Sequence, residues 1–440
     1  MRYIISLCFL LFIGIEANAQ NPIVPPGVYI ADPSARVWND GKLYVYGSLD
    51  ESTTYYCSYM YHVLSTSDMK NWELTPDVFN SRGDNDQISY SDKELYAPDC
   101  THRNGLYYLY YCQPDRKAAE GVAVSDSPTG PFVDGKKINL NGIEQIDPAV
   151  FIDDDGQAYY IWGQFEAKIA KLKDNMMEID TSTIVENVLT EKEHHFHEGS
   201  FMFKRNGIYY MVYADMSRGN RPTCIGYSMS NSPMGPFKYG GVIVDNDHCD
   251  PATWNNHGSV VQFRGRWYVF YHRSTHNSRM MRKACVEPIE FNADGSINEV
   301  EMTSQGAGAP LSAFEQIDSE RACLLYGNVR IQLFEPGNEK LTEIHNTDNV
   351  AYKYVDFQDG ANEITVKVKP LKNGGTVIVR ADEPWGPIIG MVRVPGEKDG
   401  EWQMITSKMK GTSGVHAIWL GFYGADTQLM ELDWFEFSKR

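Results

Sequence analysis

Five segments of the chain begin with glycine and run into a short aromatic and β-branched stretch: GKLYVYGS at Gly41, GLYYLYYC at Gly105, GQAYYIWG at Gly156, GIYYMVYA at Gly207 and GRWYVFYH at Gly265. Successive glycines lie 64, 51, 51 and 58 residues apart. Self-similarity at such a period restricts the chain to repeat architectures. Asp40-Gly41, Asn104-Gly105, Asp155-Gly156 and Asn206-Gly207 are the residue pairs that best support a tight hairpin turn, and Arg264-Gly265 is a weaker case. Downstream, SDSPTGPF at Ser125 and SNSPMGPF at Ser230 repeat one another and fit a later strand of the same unit. A mostly β unit of this length, repeated five times, is what a propeller of four-stranded blades requires. We therefore expect an all-β protein with a five-bladed β-propeller over roughly residues 25 to 310. A β-sandwich is the alternative, but it does not predict this period.

Aligned on their glycines, the repeats share a second feature upstream. The preceding strands open with Asp32-Pro33-Ser34, Asp99-Cys100-Thr101, Asp147-Pro148-Ala149, Glu198-Gly199-Ser200 and His257-Gly258-Ser259. Asp32, Asp147 and Glu198 each stand nine residues before their glycine, His257 eight and Asp99 six. Rotation about a propeller axis turns one repeated position into a ring. An aspartate before proline is an ordinary turn starter, yet turn formation does not call for Glu198 or His257. Convergent carboxylates suit acid and base chemistry, and could also bind a cation or simply a sugar. The run Asp153-Asp154-Asp155 reads as a hairpin turn, since the first ligand position of a calcium loop would fall on Phe151. His194-His195-Phe196-His197-Glu198 is not HExxH, because Phe201 stands where the second histidine is needed.

The formal charge of −18 argues against nucleic acid or anionic membrane as partner. The 27 tyrosines and 9 tryptophans suit either an aromatic core or stacking on sugars. Residues 1–19 have the layout of a secretory signal peptide cleaved before Gln20, so a secreted or periplasmic, soluble protein is expected. Seven cysteines follow, an odd number without CxxC spacing, leaving room for one or two disulfides.

The motifs ADPS at Ala31, YAPD at Tyr96, IDPAVFIDDDG at Ile146, HEGSF at His197 and HGSVVQFRGRWYVFYHR at His257 together resemble glycoside hydrolase family 43. The resemblance implies an inverting glycosidase with Asp32 as general base, Glu198 as general acid and Asp147 orienting the acid and tuning its pKa. It also implies substrate contacts at Tyr96, His257 and Arg282, with His257 near the channel axis and any bound calcium there. EGS replaces the commoner EGP, and Tyr96 replaces a tryptophan. The implied activity is exo-acting on plant polysaccharide side chains or oligosaccharides, foremost α-L-arabinofuranosidase. β-Xylosidase, β-galactofuranosidase and a non-catalytic sugar-binding propeller are the alternatives.

From Phe314 onward the five-fold pattern stops and alternating strands appear, as in NEITVKVKP at Asn362. GTVIVRADEPWGPIIGMVRVP and GVHAIWLGFYGADTQLMELDWFEF resemble carbohydrate-binding module family 6, a β-sandwich (jelly-roll). That likeness implies a structural calcium at Glu315 and Asp433, sugar contacts at Tyr352 and Trp385, and core positions for Trp402 and Trp419. No cofactor is expected for the chemistry. The expected division is residues 1–19 as signal peptide, 20–311 as propeller and 312–440 as sandwich.

Overall fold

Each glycine segment becomes the second strand of a blade. The computed structural model describes residues 20–115, 120–397 and 399–439; the signal-peptide reading of residues 1–19 falls outside them. Blade one comprises Ile30–Val37 (β1), Leu43–Leu49 (β2), Met60–Thr66 (β3) and Glu73–Asn80 (β4). Blade two comprises Tyr96–Arg103 (β5), Leu106–Cys112 (β6), Glu120–Ser125 (β7) and Val133–Lys137 (β8). Blade three comprises Ala149–Ile152 (β9), Ala158–Trp162 (β10), Glu166–Lys171 (β11) and Val185–Thr190 (β12). Blade four comprises Phe196–Arg205 (β13), Ile208–Asp215 (β14), Cys224–Ser230 (β15) and Lys238–Asp245 (β16). Blade five comprises Ser259–Phe263 (β17), Arg266–Ser274 (β18) and Arg282–Ile289 (β19). Within each blade consecutive strands pair antiparallel.

The ring closes through the first strands: β1 packs on β5, β5 on β9, β9 on β13, β13 on β17, and β17 back on β1. The second strands are covered on both faces, so they are aromatic and apolar without alternation; Tyr46, Tyr110, Tyr160, Trp162, Tyr210 and Tyr271 are fully buried there. The tyrosine excess is thus largely blade core. The hairpins between first and second strands take the expected geometry, with Asn104 and Gly105 at φ 54° and 82°, and Asn206 and Gly207 at 50° and 78°. The Ser-Pro-Gly-Pro echoes form the turns from β7 to β8 and from β15 to β16. Asp153-Asp154-Asp155 is the β9–β10 turn, held by Lys204 at 2.7 Å from Asp153 and 2.8 Å from Asp154.

Blade five has three named strands, where four were expected. The N-terminal segment runs along the edge that a fourth strand would cover: Ile23 N–H donates to Ala284 O (2.9 Å), and Asn21 exchanges side-chain bonds with the backbone of Val286 (2.8 and 3.1 Å). Backbone groups that would otherwise be an open edge are satisfied in this way.

The C-terminal domain is a curled β structure of two faces. One contains Asn349–Asp356, Val415–Tyr423, Gly375–Ala381 and Ile388–Val394; the other contains Gln403–Thr412, Ala361–Pro370, Met430–Ser438 and Asn338–Ile344. They join at a single residue pair, Gly390 with Met409. Alternation along Ala361–Pro370 sends Ile364, Val366 and Val368 into one core with Val377, Val379, Leu420 and Phe435. Tyr352 belongs to that core, fully buried, with its hydroxyl donating to Ser319 O (2.9 Å); it cannot be a sugar contact. Trp402 is half-buried beside Phe334 rather than in the core, whereas Trp419 is 4% exposed and Trp385 is 79% exposed. Cys323, Leu324, Ala351 and Trp419 merge with Phe203, Tyr227 and Val269 of the propeller into a shared core between the domains. All seven cysteines from Cys57 to Cys323 are buried and free, so no disulfide joins any two of them among the described residues.

Candidate active site

The inner strands are irregular where they reach the mouth of the channel. Pairing shifts between Ala31 and Ser34 in β1, and on both sides of Glu198 in β13. Asp32 and Asp147 adopt φ of 53° and 62°, a left-handed conformation that costs a non-glycine residue about 1 kcal/mol or more. Bulges and left-handed residues re-aim side chains. Here they accompany four members of the ring, Asp32, Asp147, Glu198 and His257, lining one pocket with about 630 Å³ of empty space, part of it open to solvent. The fifth member, Asp99, is used elsewhere. It binds Arg36 in a fork (3.0 and 2.5 Å) and accepts from Ser34 Oγ and Val150 N–H, stapling the first three blades together. Its six-residue spacing was the sign of this displacement.

Asp32 is held as an anion. Burial alone would raise its pKa, but the Arg282 guanidinium 2.8 Å from Oδ1 and the Ser48 hydroxyl donating to Oδ2 at 2.6 Å bring it down to about 2. His272 contributes as a neutral ring. Its Nδ1 accepts the Asp32 backbone N–H (3.2 Å), its Nε2 lies 3.0 Å from Asn255 O, and burial depresses its pKa to about 3. Arg282 is itself fixed by Asp50, through Nε to Oδ2 (2.8 Å) and Nη2 to Oδ1 (2.9 Å). The guanidinium is therefore engaged with two carboxylates at 2% side-chain exposure. It lines the pocket, but its donors are engaged by Asp32 and Asp50.

Asp147 is the opposite case. Burial first, then the facing carboxyls of Glu198 and Asp32, push its pKa well above the usual carboxylate range. Glu198 accepts from Gln164 Nε2 (2.9 Å) and Asn255 Nδ2 (3.1 Å), which aim it without neutralising it. His257 Nδ1 stands 3.8 Å from both Asp32 and Asp147, and burial lowers its pKa despite the opposing carboxylates of Asp32 and Glu198. Gly199 is obligatory here, because a Cβ would lie 2.9 Å from the His257 ring and the residue sits at φ 71°. The arrangement offers an ionised carboxylate at Asp32, a carboxyl at Asp147 pushed toward its protonated form, and the His257 imidazole 3.8 Å from both.

Tyr96 lines the pocket together with Tyr56 and Trp254, neither of which the repeat register singles out. The Arg282 guanidinium lies 5.1 Å from the centre of the Tyr56 ring, and that of Arg279 lies 4.2 Å from Trp254. These rings come from connections between strands, outside the repeated register; for Trp254 the only clue was its nearness to His257.

The residues implied as a calcium site do not fit one. Asp433 is 1% exposed, with its carboxylate 2.6 Å from Lys367 Nζ and accepting from Asn338 Nδ2 at 3.1 Å, while Glu315 is exposed. A lysine ammonium occupies the place where a cation's charge would be required. Calcium is accordingly expected to leave the melting temperature of the C-terminal domain unchanged; a calcium-dependent rise that Asp433→Asn removes would contradict this.

Comparison with known proteins agrees with the geometry. The profile of Glycosyl hydrolases family 43 matches residues 19–297, and that of Carbohydrate binding module (family 6) matches residues 326–439. A xylosidase/arabinosidase of Thermoclostridium stercorarium is 29% identical over 470 residues, covering 92% of this chain and 96% of that protein. A xylosidase/arabinosidase of Bacteroides ovatus is 31% identical, covering 63% of this chain and 96% of its own. The crystal structure of a glycoside hydrolase family 43 arabinoxylan arabinofuranohydrolase from Bacillus subtilis, in complex with cellotetraose, aligns over 96% of this chain and 98% of that one, with a TM-score of 0.55 and 26% identity. A profile match across most of the chain, on a propeller whose repeated acidic position gathers in one pocket, places this protein in glycosyl hydrolases family 43, as a glycosidase acting on O-glycosyl bonds and carrying a carbohydrate-binding module of family 6.

Proposed function

We propose that the protein is an inverting, exo-acting α-L-arabinofuranosidase that removes terminal sugars from plant polysaccharide side chains or their oligosaccharides. Glu198, as general acid, protonates the departing glycosidic oxygen. Asp32 orients a water on the opposite face of the ring and accepts its proton as the oxygen bonds to the anomeric carbon, so the anomeric configuration inverts. With a pKa of about 2, Asp32 returns that proton readily to solvent. Asp147 is the positioning residue that faces the acid with a second, buried carboxyl. The observation that carries this reading is the separation of charge states in one pocket: Asp32 held ionised, Asp147 pushed toward its protonated form. Walls of Tyr56, Tyr96 and Trp254 around a pocket support action on a terminal residue.

Arabinofuranose is favoured over its competitors by the relatives, two of which are named arabinoxylan arabinofuranohydrolases. β-Xylosidase and β-D-galactofuranosidase names among them keep those activities as the second reading. A panel of 4-nitrophenyl arabinofuranoside, xyloside and galactofuranoside, followed by arabinan and arabinoxylan, tests the assignment. Fastest release is expected from the arabinofuranoside. Faster release from the xyloside would transfer the assignment, and release from none would leave a sugar-binding propeller.

A further inference from the structure

We propose that Glu339, a residue of the C-terminal domain, is a positioning residue for hydrolysis, which makes the second domain part of the catalytic apparatus of the first. The proposal rests on the reading of Asp32 as the general base.

Glu339 is fully buried, although it belongs to the other domain. One carboxylate oxygen lies 2.5 Å from Lys283 Nζ; the other accepts the Tyr29 hydroxyl (2.8 Å) and the Gly27 N–H (3.2 Å). Each partner adjoins a piece of the active site. Lys283 follows Arg282 at the start of β19, and alternation along the strand sends Arg282 to the pocket and Lys283 to the second domain. Tyr29 lies three residues before Asp32, and its carbonyl accepts the N–H of Asp50, the residue that forks Arg282. A single carboxylate from the C-terminal domain thus ties together both chain segments that bring the base and its guanidinium into contact.

Lys283 has 2% side-chain exposure, and its ammonium sits 4.7 Å from the centre of the Tyr29 ring. Among the described residues, Glu339 is the anion within ion-pair distance of it. A buried cation deprived of its partner must find water or move. Movement at Lys283 displaces Arg282, and with it the hydrogen bonds to Asp32 and Asp50. The contact of Ile331 N–H with Thr275 O (2.9 Å) keeps the adjacent strand, Arg330–Glu335, which pairs with the strand of Glu339, against the rim.

The test uses the full-length enzyme and the best nitrophenyl glycoside of the panel. Glu339→Gln is expected to lower kcat roughly tenfold with KM changed by less than about twofold, and Glu339→Asp to recover part of the loss. Val366→Ala, a cavity in the core of the same domain, is the control: it should lower the melting temperature and leave kcat of the folded enzyme unchanged. Wild-type kcat in folded Glu339→Gln overturns the proposal. If that variant does not fold, Tyr29→Phe takes its place, since it keeps the ion pair and deletes only the hydroxyl; a reduced kcat supports the proposal and an unchanged one overturns it. Asp32→Asn separates the two readings. An active Asp32→Asn enzyme removes the general-base assignment itself, whereas an inactive one beside a fully active Glu339→Gln removes only the role of Glu339.

Discussion

Asp32→Asn is expected to lower kcat by roughly 10²–10⁴-fold, the range contributed by a positioned general base, on every substrate of the panel. The variant should remain folded, because Arg282 keeps its fork with Asp50 and the site loses one charge rather than gaining an unpaired one. Its stability cost has a definite sign. The folded pKa of Asp32 is depressed to about 2, so its contribution is present above the unfolded value near 4 and is lost as pH falls through about 2. At neutral pH the variant should therefore be less stable than the wild type. Glu198→Gln should lose a comparable factor on a poor leaving group but recover much of it on a dinitrophenyl glycoside, whose departure needs no proton. Equal losses on both leaving groups for Glu198→Gln would remove it from the acid's role.

Asp147→Asn is expected to lose activity while gaining stability. The folded pKa of Asp147 is raised, so the group contributes stability below its unfolded pKa and loses it as pH rises through the folded value. At pH 7 the native site either carries an extra proton or suffers repulsion among Asp147, Glu198 and Asp32; the amide removes that cost. The melting temperature should rise at pH 7, with the difference vanishing towards pH 4. Loss of the facing carboxyl should cut kcat by about 10²-fold and move the basic limb of the kcat/KM profile to lower pH. The acidic limb should stay put, since Asp32 remains ionised far below it. A variant that is destabilised at pH 7 and keeps its pH profile would show that Asp147 serves the fold alone.

Much of this site was legible before any coordinates. The hairpin glycines set a period, the period set a register, and the register put Asp32, Asp147 and Glu198 nine residues upstream of equivalent turns. Propeller symmetry does the rest, because equivalent positions on inner strands must meet around one axis. The same logic fails for Asp99, which shares the pattern but stands out of register and is consumed by Arg36. The likeness to carbohydrate-binding module family 6 fails at Tyr352, whose place on Asn349–Asp356 turns it into the core.

The sequence by itself therefore determined the architecture and the acidic ring, since both follow from local periodicity, which a chain carries in its order of residues. Only the tertiary structure decided what each carboxyl became. Asp32 is an anion because Arg282, 250 positions away in sequence, reaches it across the closing blade. Asp147 is driven toward protonation because burial and two other carboxyls surround it, and Asp433 is neutralised by Lys367 from a neighbouring strand. Charge states depend on distances of a few ångströms between residues remote in sequence, and such distances exist only once the sheets have closed.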